Sequence, residues 1–222
     1  MAGWAGWDYC VIDCEHAPID NAQLPAMLRG ARIPAYVRVP NGNAETIQGA
    51  LDNGAGGIIV PRLETAEEAR RVVAAARFFP HGRRGVNHMV RAARYSLEPV
   101  AEYLAGANAR TRVAVQIETA GALAAVEEIA ATPGLDELFI GPYDLSQALE
   151  IPGQVMDPRL LDAGRRILAA ARANGIEVSV FVNNDEAARA WIALGADLIH
   201  YSADTYLLAQ AMRAARERLR QL

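Results

Sequence analysis

Short apolar runs recur along the chain, each closing on one or two polar residues before a stretch with helical spacing begins. The runs fall at Tyr9–Asp13, Pro34–Arg38, Gly57–Val60, Arg112–Ile117, Glu137–Ile140, Glu177–Phe181 and Leu198–Tyr201. Strand-then-helix units in series predict a parallel sheet covered by helices. In Arg112-Val-Ala-Val-Gln-Ile-Glu118, alternation puts Val113, Val115 and Ile117 on one face and Ala114, Gln116 and Glu118 on the other. The first face suits packing under helices. The second carries a carboxylate into a crowded interior, where an unpaired charge costs several kcal/mol unless a cation or strong donors meet it.

Helix punctuation is clear in places. Asp157-Pro158 suits an N-cap and first turn, Asn174-Gly175 a C-terminal stop, and Leu208, Met212, Ala215 and Leu219 form one apolar stripe in the last helix, read as a packing face. Phe79 to Arg94 is rich in Gly, Arg and His and reads as a long loop placed to cover a site. Polar residues gather where strands end: Asp13 with His16, Arg38, Pro61-Arg62, Gln116 with Glu118, Asp144 and Asn183. In a closed parallel barrel all such ends share one rim, where barrel enzymes keep their chemistry. The expected fold is therefore a (β/α)8 TIM-type barrel. A doubly wound open sheet is the alternative, but its phosphate-binding glycines follow a strand, whereas Gly54-Ala-Gly-Gly57 precedes one.

Composition narrows the function. The chain has 222 residues, 52% hydrophobic and 22% charged, enough for one domain over residues 1–222. Its formal net charge is −4 and its basic residues are scattered, so nucleic acid and anionic membrane are poor partners and a small molecule fits better. Two cysteines, Cys10 and Cys14, make neither a disulfide framework nor a paired zinc site, and no basic-then-apolar leader or membrane-length apolar run occurs. These features predict a reducing, cytoplasmic setting.

Two acids, Glu118 and Asp144, stand just past two strand ends and are placed to share one hard divalent cation. Asp13-Cys-Glu-His16 adds a histidine beside acids, suited to proton transfer near neutral pH, although the same run also suits a solvated turn. Arg38 reaches the rim, either to hold an enolate or carboxylate oxygen or to pair with Asp13 or Glu118. No lysine occurs in the chain, which excludes a lysine Schiff-base route.

Asp13-Cys-Glu-His-Ala-Pro, Val37-Arg-Val-Pro, Leu51-Asp-Asn-Gly, Val60-Pro, Arg84-Gly-Val, Val115-Gln-Ile-Glu-Thr and Ile140-Gly-Pro-Tyr-Asp-Leu-Ser together resemble, in order, the metal-dependent class II pyruvate aldolases of the 4-hydroxy-2-oxoheptanedioate and 2-dehydro-3-deoxyglucarate aldolase family. The resemblance implies reversible aldol cleavage of a 2-oxo-4-hydroxy acid to pyruvate and an aldehyde. It makes Glu118 and Asp144 ligands of a divalent cation (Mg2+, Mn2+ or Co2+) that acts as Lewis acid toward the pyruvyl enolate. His16 with Asp13 becomes an acid/base dyad, and Arg38 polarises the pyruvyl oxygen. Gln116 supports the site, and the Gly141-Pro142-Tyr143-Asp144 turn holds the pyruvate carboxylate through the Tyr143 and Asp144 amides. Asp52 is implied to reach the aldehyde pocket of a neighbouring subunit in a homo-oligomer, a trimer or hexamer.

Two departures stand out. Members of that family begin with a further strand and helix, whereas this chain starts at Ala5-Gly-Trp-Asp8 and shows seven strand-like runs, so the expectation is a barrel lacking its first strand-helix unit. Tyr143 stands where many relatives have a small residue, which would narrow the substrate entrance. A citrate-lyase-like enzyme acting on a CoA thioester and a non-catalytic metabolite-binding barrel are the competing readings.

Overall fold

Apolar runs alternating with helical segments fold as parallel strands, and the computed structural model, which describes residues 1–20 and 22–222, has seven of them among the described residues, buried in the middle of the sheet and partly exposed at its two edges. They are β1 (Cys10–Asp13), β2 (Ala35–Arg38), β3 (Gly57–Val60), β4 (Arg112–Ile117), β5 (Glu137–Ile140), β6 (Glu177–Val182) and β7 (Leu198–Tyr201). All neighbours are parallel and the order is the chain order. The connecting helices are α1 (Leu24–Gly30), α2 (Ala44–Asp52), α3 (Ala66–Ala76), α4 (Val100–Arg110), α5 (Ala120–Ala124), α6 (Val126–Ala130), α7 (Pro142–Ala148), α8 (Pro158–Asn174), α9 (Asp185–Leu194) and α10 (Asp204–Leu219). None is long and apolar enough to cross a membrane among the described residues.

Alternation sorts the strand residues as the sequence predicts. Val37, Ile58, Val60, Val113, Val115, Ile117, Leu138, Ile140, Val178 and Val180 join the helices in one large core. The opposite face has its own apolar layer of Ile59, Ala114 and Phe139, with Val11, Tyr36 and Phe181 against it. That layer separates two polar ends of the sheet's inner face. At the strand N-termini, Arg112 pairs with Glu137 at 2.6 Å and also with Glu177, while the Ser179 hydroxyl donates to Glu137. At the C-termini lie the candidate site residues.

The helices close as their sequences dictate. Thr65 and Glu68 form a capping box at the start of α3, Asp157 accepts from the Arg159 amide at α8, and Gly175 ends α8 at φ 67°. Gly164 of α8 lets Trp191 of α9 lie against the helix, since a Cβ there would come within 2.4 Å of the indole.

Between β1 and β7 side chains bridge the two strands: the Tyr9 hydroxyl donates to the Ile199 carbonyl at 3.1 Å, Tyr9 meets the His200 ring edge-on, and Trp7 stacks near Tyr201. Two expectations change here. The stripe on α10 is not a packing face within the chain: Leu208, Met212 and Leu219 are 56%, 65% and 70% exposed, and α10 buries no residue. Periodicity announces an apolar face but not its partner, and β7, the strand that precedes α10, is itself only half-buried. The segment from Phe79 to Arg94 does not cover the strand C-termini either. It packs at the other end of the sheet, where Arg84 binds Asp52 and Arg91 donates to the Asn53 carbonyl, and its last residues enter a 3-10 turn at Arg91–Ser96.

Candidate active site

Parity brings Asp13, Arg38, Gln116 and Glu118 to the inner side of the strand C-termini, and the turn into α7 adds Gly141 and Asp144. Glu118 is only 4% exposed. Its Oε1 accepts the Arg62 backbone N–H at 2.8 Å and its Oε2 accepts from Gln116 Nε2 at 2.6 Å. Burial, the strongest cause, pushes its carboxyl up to about 7 against the pull of the Arg62 amide, and the neighbouring charges of Asp144 and Glu15 push the same way. Gln116 Oε1 is buried without a partner. Gly141 makes room for this arrangement, because a Cβ there would stand 2.6 Å from Glu118 Oε2 and 3.2 Å from Gln116 Nε2. Asp144 is exposed at the first turn of α7.

Arg38 is fixed by two acids. Its Nε and Nη2 donate to Asp13 at 2.8 and 2.5 Å, and Nη1 lies 3.3 Å from Glu15. Burial alone would raise the Asp13 carboxyl, but the Arg38 guanidinium on both its oxygens holds it below the usual range. Asp13 Oδ1 also accepts the backbone N–H groups of Glu15 and His16, at 3.0 and 3.4 Å. The expected side-chain dyad of Asp13 with His16 is therefore not what the structure brings together. Both Asp13 oxygens are committed, and the carboxylate beside the His16 imidazole is Glu15, at 3.7 Å. His16 itself projects into solvent, with its side chain 56% exposed.

Glu15 and Arg62 are the residues whose part in the site sequence reasoning did not assign. The Glu15 side chain is 6% exposed and pairs with Arg38 and, at 3.0 Å, with Arg62 Nε. One signal was available: Glu15 lies two residues after Asp13, on the same side of an extended segment. Arg62 adopts φ 58°, an uncommon conformation for a residue with a Cβ, and this turns its amide onto Glu118. Tyr143, 43% exposed, leans toward the end of β6, where its hydroxyl accepts from Asn183 Nδ2 at 2.7 Å and its ring faces Phe181. Asp52 is elsewhere: it ends α2 at the N-terminal end of the strands, paired with the buried Arg84 at 2.6 Å and out of reach of this chain's own rim.

The family model for the HpcH/HpaI aldolase/citrate lyase family matches residues 1–211. The chain belongs to this family. A 4-hydroxy-2-oxovalerate aldolase of Rhodococcus jostii is 39% identical over 98% of this chain and 85% of its own length. A hydroxypyruvate/pyruvate aldolase of Deinococcus radiodurans is 40% identical over 94% of this chain and 76% of its own. Among solved structures, an HpcH/HpaI aldolase/citrate lyase family protein of Burkholderia cenocepacia superposes with a TM-score of 0.91 at 40% identity, covering 97% of this chain and 87% of that one. This HpcH/HpaI family member is a carbon–carbon lyase of the aldolase kind.

Among the described residues no group of three or more His, Cys, Asp or Glu side chains could enclose a metal ion. The donor set nevertheless suits a hard cation. Glu118 and Asp144 offer carboxylate oxygens, and a divalent cation that keeps open positions for substrate or water needs no more than one or two carboxylates from the protein. Charge agrees: Asp13, Glu15, Glu118 and Asp144 outnumber Arg38 and Arg62 by two.

Proposed function

We propose that this protein cleaves a 2-oxo-4-hydroxy acid reversibly to pyruvate and an aldehyde with the help of a divalent cation held by Glu118 and Asp144. The observation that carries the metal reading is Glu118, a carboxylate 4% exposed on the acidic rim, whose oxygens meet a backbone amide and the Gln116 side-chain amide but no hydrogen-bonded cationic side chain. Mg2+, Mn2+ and Co2+ all suit such oxygen donors, and any of them would supply Lewis acidity to the oxygens of a 2-oxo acid.

The remaining chemistry belongs to the chain. Arg38 is held by Asp13 and Glu15 with N–H donors to spare, so it presents a fixed positive edge to an oxygen that gains charge as the carbon–carbon bond breaks. His16 stands at the solvent side and serves to move a proton at the hydroxyl of the bond being broken. Gln116 orients Glu118, and the Gly141-Pro142-Tyr143-Asp144 turn lies beside it for the pyruvyl carboxylate.

The fold that supports this reading is a TIM-like barrel with one strand-helix unit fewer than eight, its inner layer and polar rim arranged as in such barrels. Asp52, remote from the rim of its own chain, is assigned to the aldehyde pocket of a neighbouring copy. Exhaustive chelation is expected to abolish pyruvate release and added Mn2+ to restore it, while Glu118→Ala and Asp144→Ala each lose metal binding by calorimetry together with activity. Full activity after chelation would overturn the metal assignment.

A further inference from the structure

The rim is rich in acids, and an aldehyde carrying its own carboxylate would meet repulsion there unless a cation received it. Arg38 is poorly placed to be that cation, because Asp13 takes two of its donors, Glu15 faces a third nitrogen, and its side chain is 21% exposed. Arg62 differs in each respect. Its side chain is 70% exposed, its nearest approach to Glu15 is through Nε at 3.0 Å, and its two terminal nitrogens make no hydrogen bond to the described residues. Glu15 bridges the two guanidiniums, one from each of its oxygens, so Arg62 stands about one carboxylate's breadth from Arg38 and farther toward solvent.

Backbone geometry ties this cation to the reacting centre. The left-handed conformation of Arg62 places its amide on Glu118 while its side chain returns to Glu15, so one residue touches the buried acid and the open mouth together. If the pyruvyl half lies between Glu118 and the turn into α7, the departing half points away from β5, toward the β2 and β3 ends where Arg62 waits. We propose that Arg62 is a specificity-determining residue that receives an anionic group, a carboxylate above all, on the aldehyde half of the substrate. A planar fork with free donors matches a carboxylate in two parallel hydrogen bonds. This inference rests on the aldolase reading given above.

The test compares succinic semialdehyde with butanal, aldehydes of equal chain length with and without the charge, as acceptors for pyruvate in wild-type, Arg62→Gln and Arg62→Lys proteins. Wild type is expected to favour succinic semialdehyde in kcat/KM. Arg62→Gln should lower that preference by about 10-fold or more, the usual range for a lost hydrogen bond to a charged group, with the change carried by KM for the charged aldehyde. Arg62→Lys should keep part of it. The preference should also weaken with added salt in wild type and be flat in Arg62→Gln, a signature that a purely structural role would not produce. An unchanged preference in Arg62→Gln, equal losses on both aldehydes, or no preference in wild type would overturn the proposal. Metal-dependent exchange of the pyruvate methyl protons, read by NMR without any aldehyde, separates the two layers: its presence with no charge preference refutes Arg62 alone, and its absence refutes the aldolase reading as well.

Discussion

Asp13 has two oxygens and four claimants: the Nε and Nη2 groups of Arg38 and the backbone amides of Glu15 and His16. Sequence order puts Asp13 and His16 in one short segment and suggests that they act on each other. In space the longer arginine side chain wins, because a fork of two charge-assisted hydrogen bonds outcompetes one bond to an exposed imidazole. Energetic coupling should follow the same line. We expect Asp13→Asn to add little to the loss already caused by Arg38→Ala, and to combine almost additively with His16→Ala in kcat. His16→Ala alone should slow cleavage by about 10²- to 10⁴-fold while elemental analysis finds the metal retained. Strong coupling of Asp13 to His16 instead of Arg38 would show that the dyad assembles during turnover.

At the scale of the elements, one acid ties four strands from inside. Glu137 on β5 meets Arg112 on β4, accepts from Ser179 on β6 and faces His200 on β7 at 3.8 Å, with 5% of its side chain exposed. Burial would raise its carboxyl, yet these partners together hold it below the ordinary 4.5. A carboxyl depressed by folding stabilises the native state above its ordinary value and stops doing so as pH falls through the native one. Glu137→Gln should therefore lose about 1–3 kcal/mol near neutral pH, the cost of stranding buried partners, and the gap from wild type in chemical denaturation should close below pH 4.5. A gap independent of pH would mean that shape, not charge, is what Glu137 provides. The strands themselves were legible because a parallel strand packed under helices must be a short, largely apolar run, and each of the seven begins and ends within one residue of the sequence expectation. Partner choice was less legible, since Asp13 carries no local mark that it belongs to Arg38.

For the whole molecule, the site's parity could be read from sequence but coverage could not. Nothing in the spacing of Leu208, Met212 and Leu219 says that their face lies open in a single chain, or that the arginine-rich segment after α3 lies at the far end from the rim. Both features, with Asp52 stranded beside Arg84, suit a protein that completes itself with further copies. Light scattering at assay concentration is expected to find a homo-oligomer, and Asp52→Ala to change the ranking of aldehydes without changing metal affinity. A fully active monomer would remove the assignment of Asp52 to a neighbour's pocket. The bridge between β1 and β7 has one more consequence, an optical one. Trp7 is 43% exposed and stacked near Tyr201 across that line, whereas Trp191 is 1% exposed beneath α8. With the exposed Trp4 replaced by Phe, and Trp7 and Trp191 then kept one at a time, the first indole reports the parting of two strand edges and the second the collapse of the core, so two single-tryptophan variants separate local breathing from global unfolding.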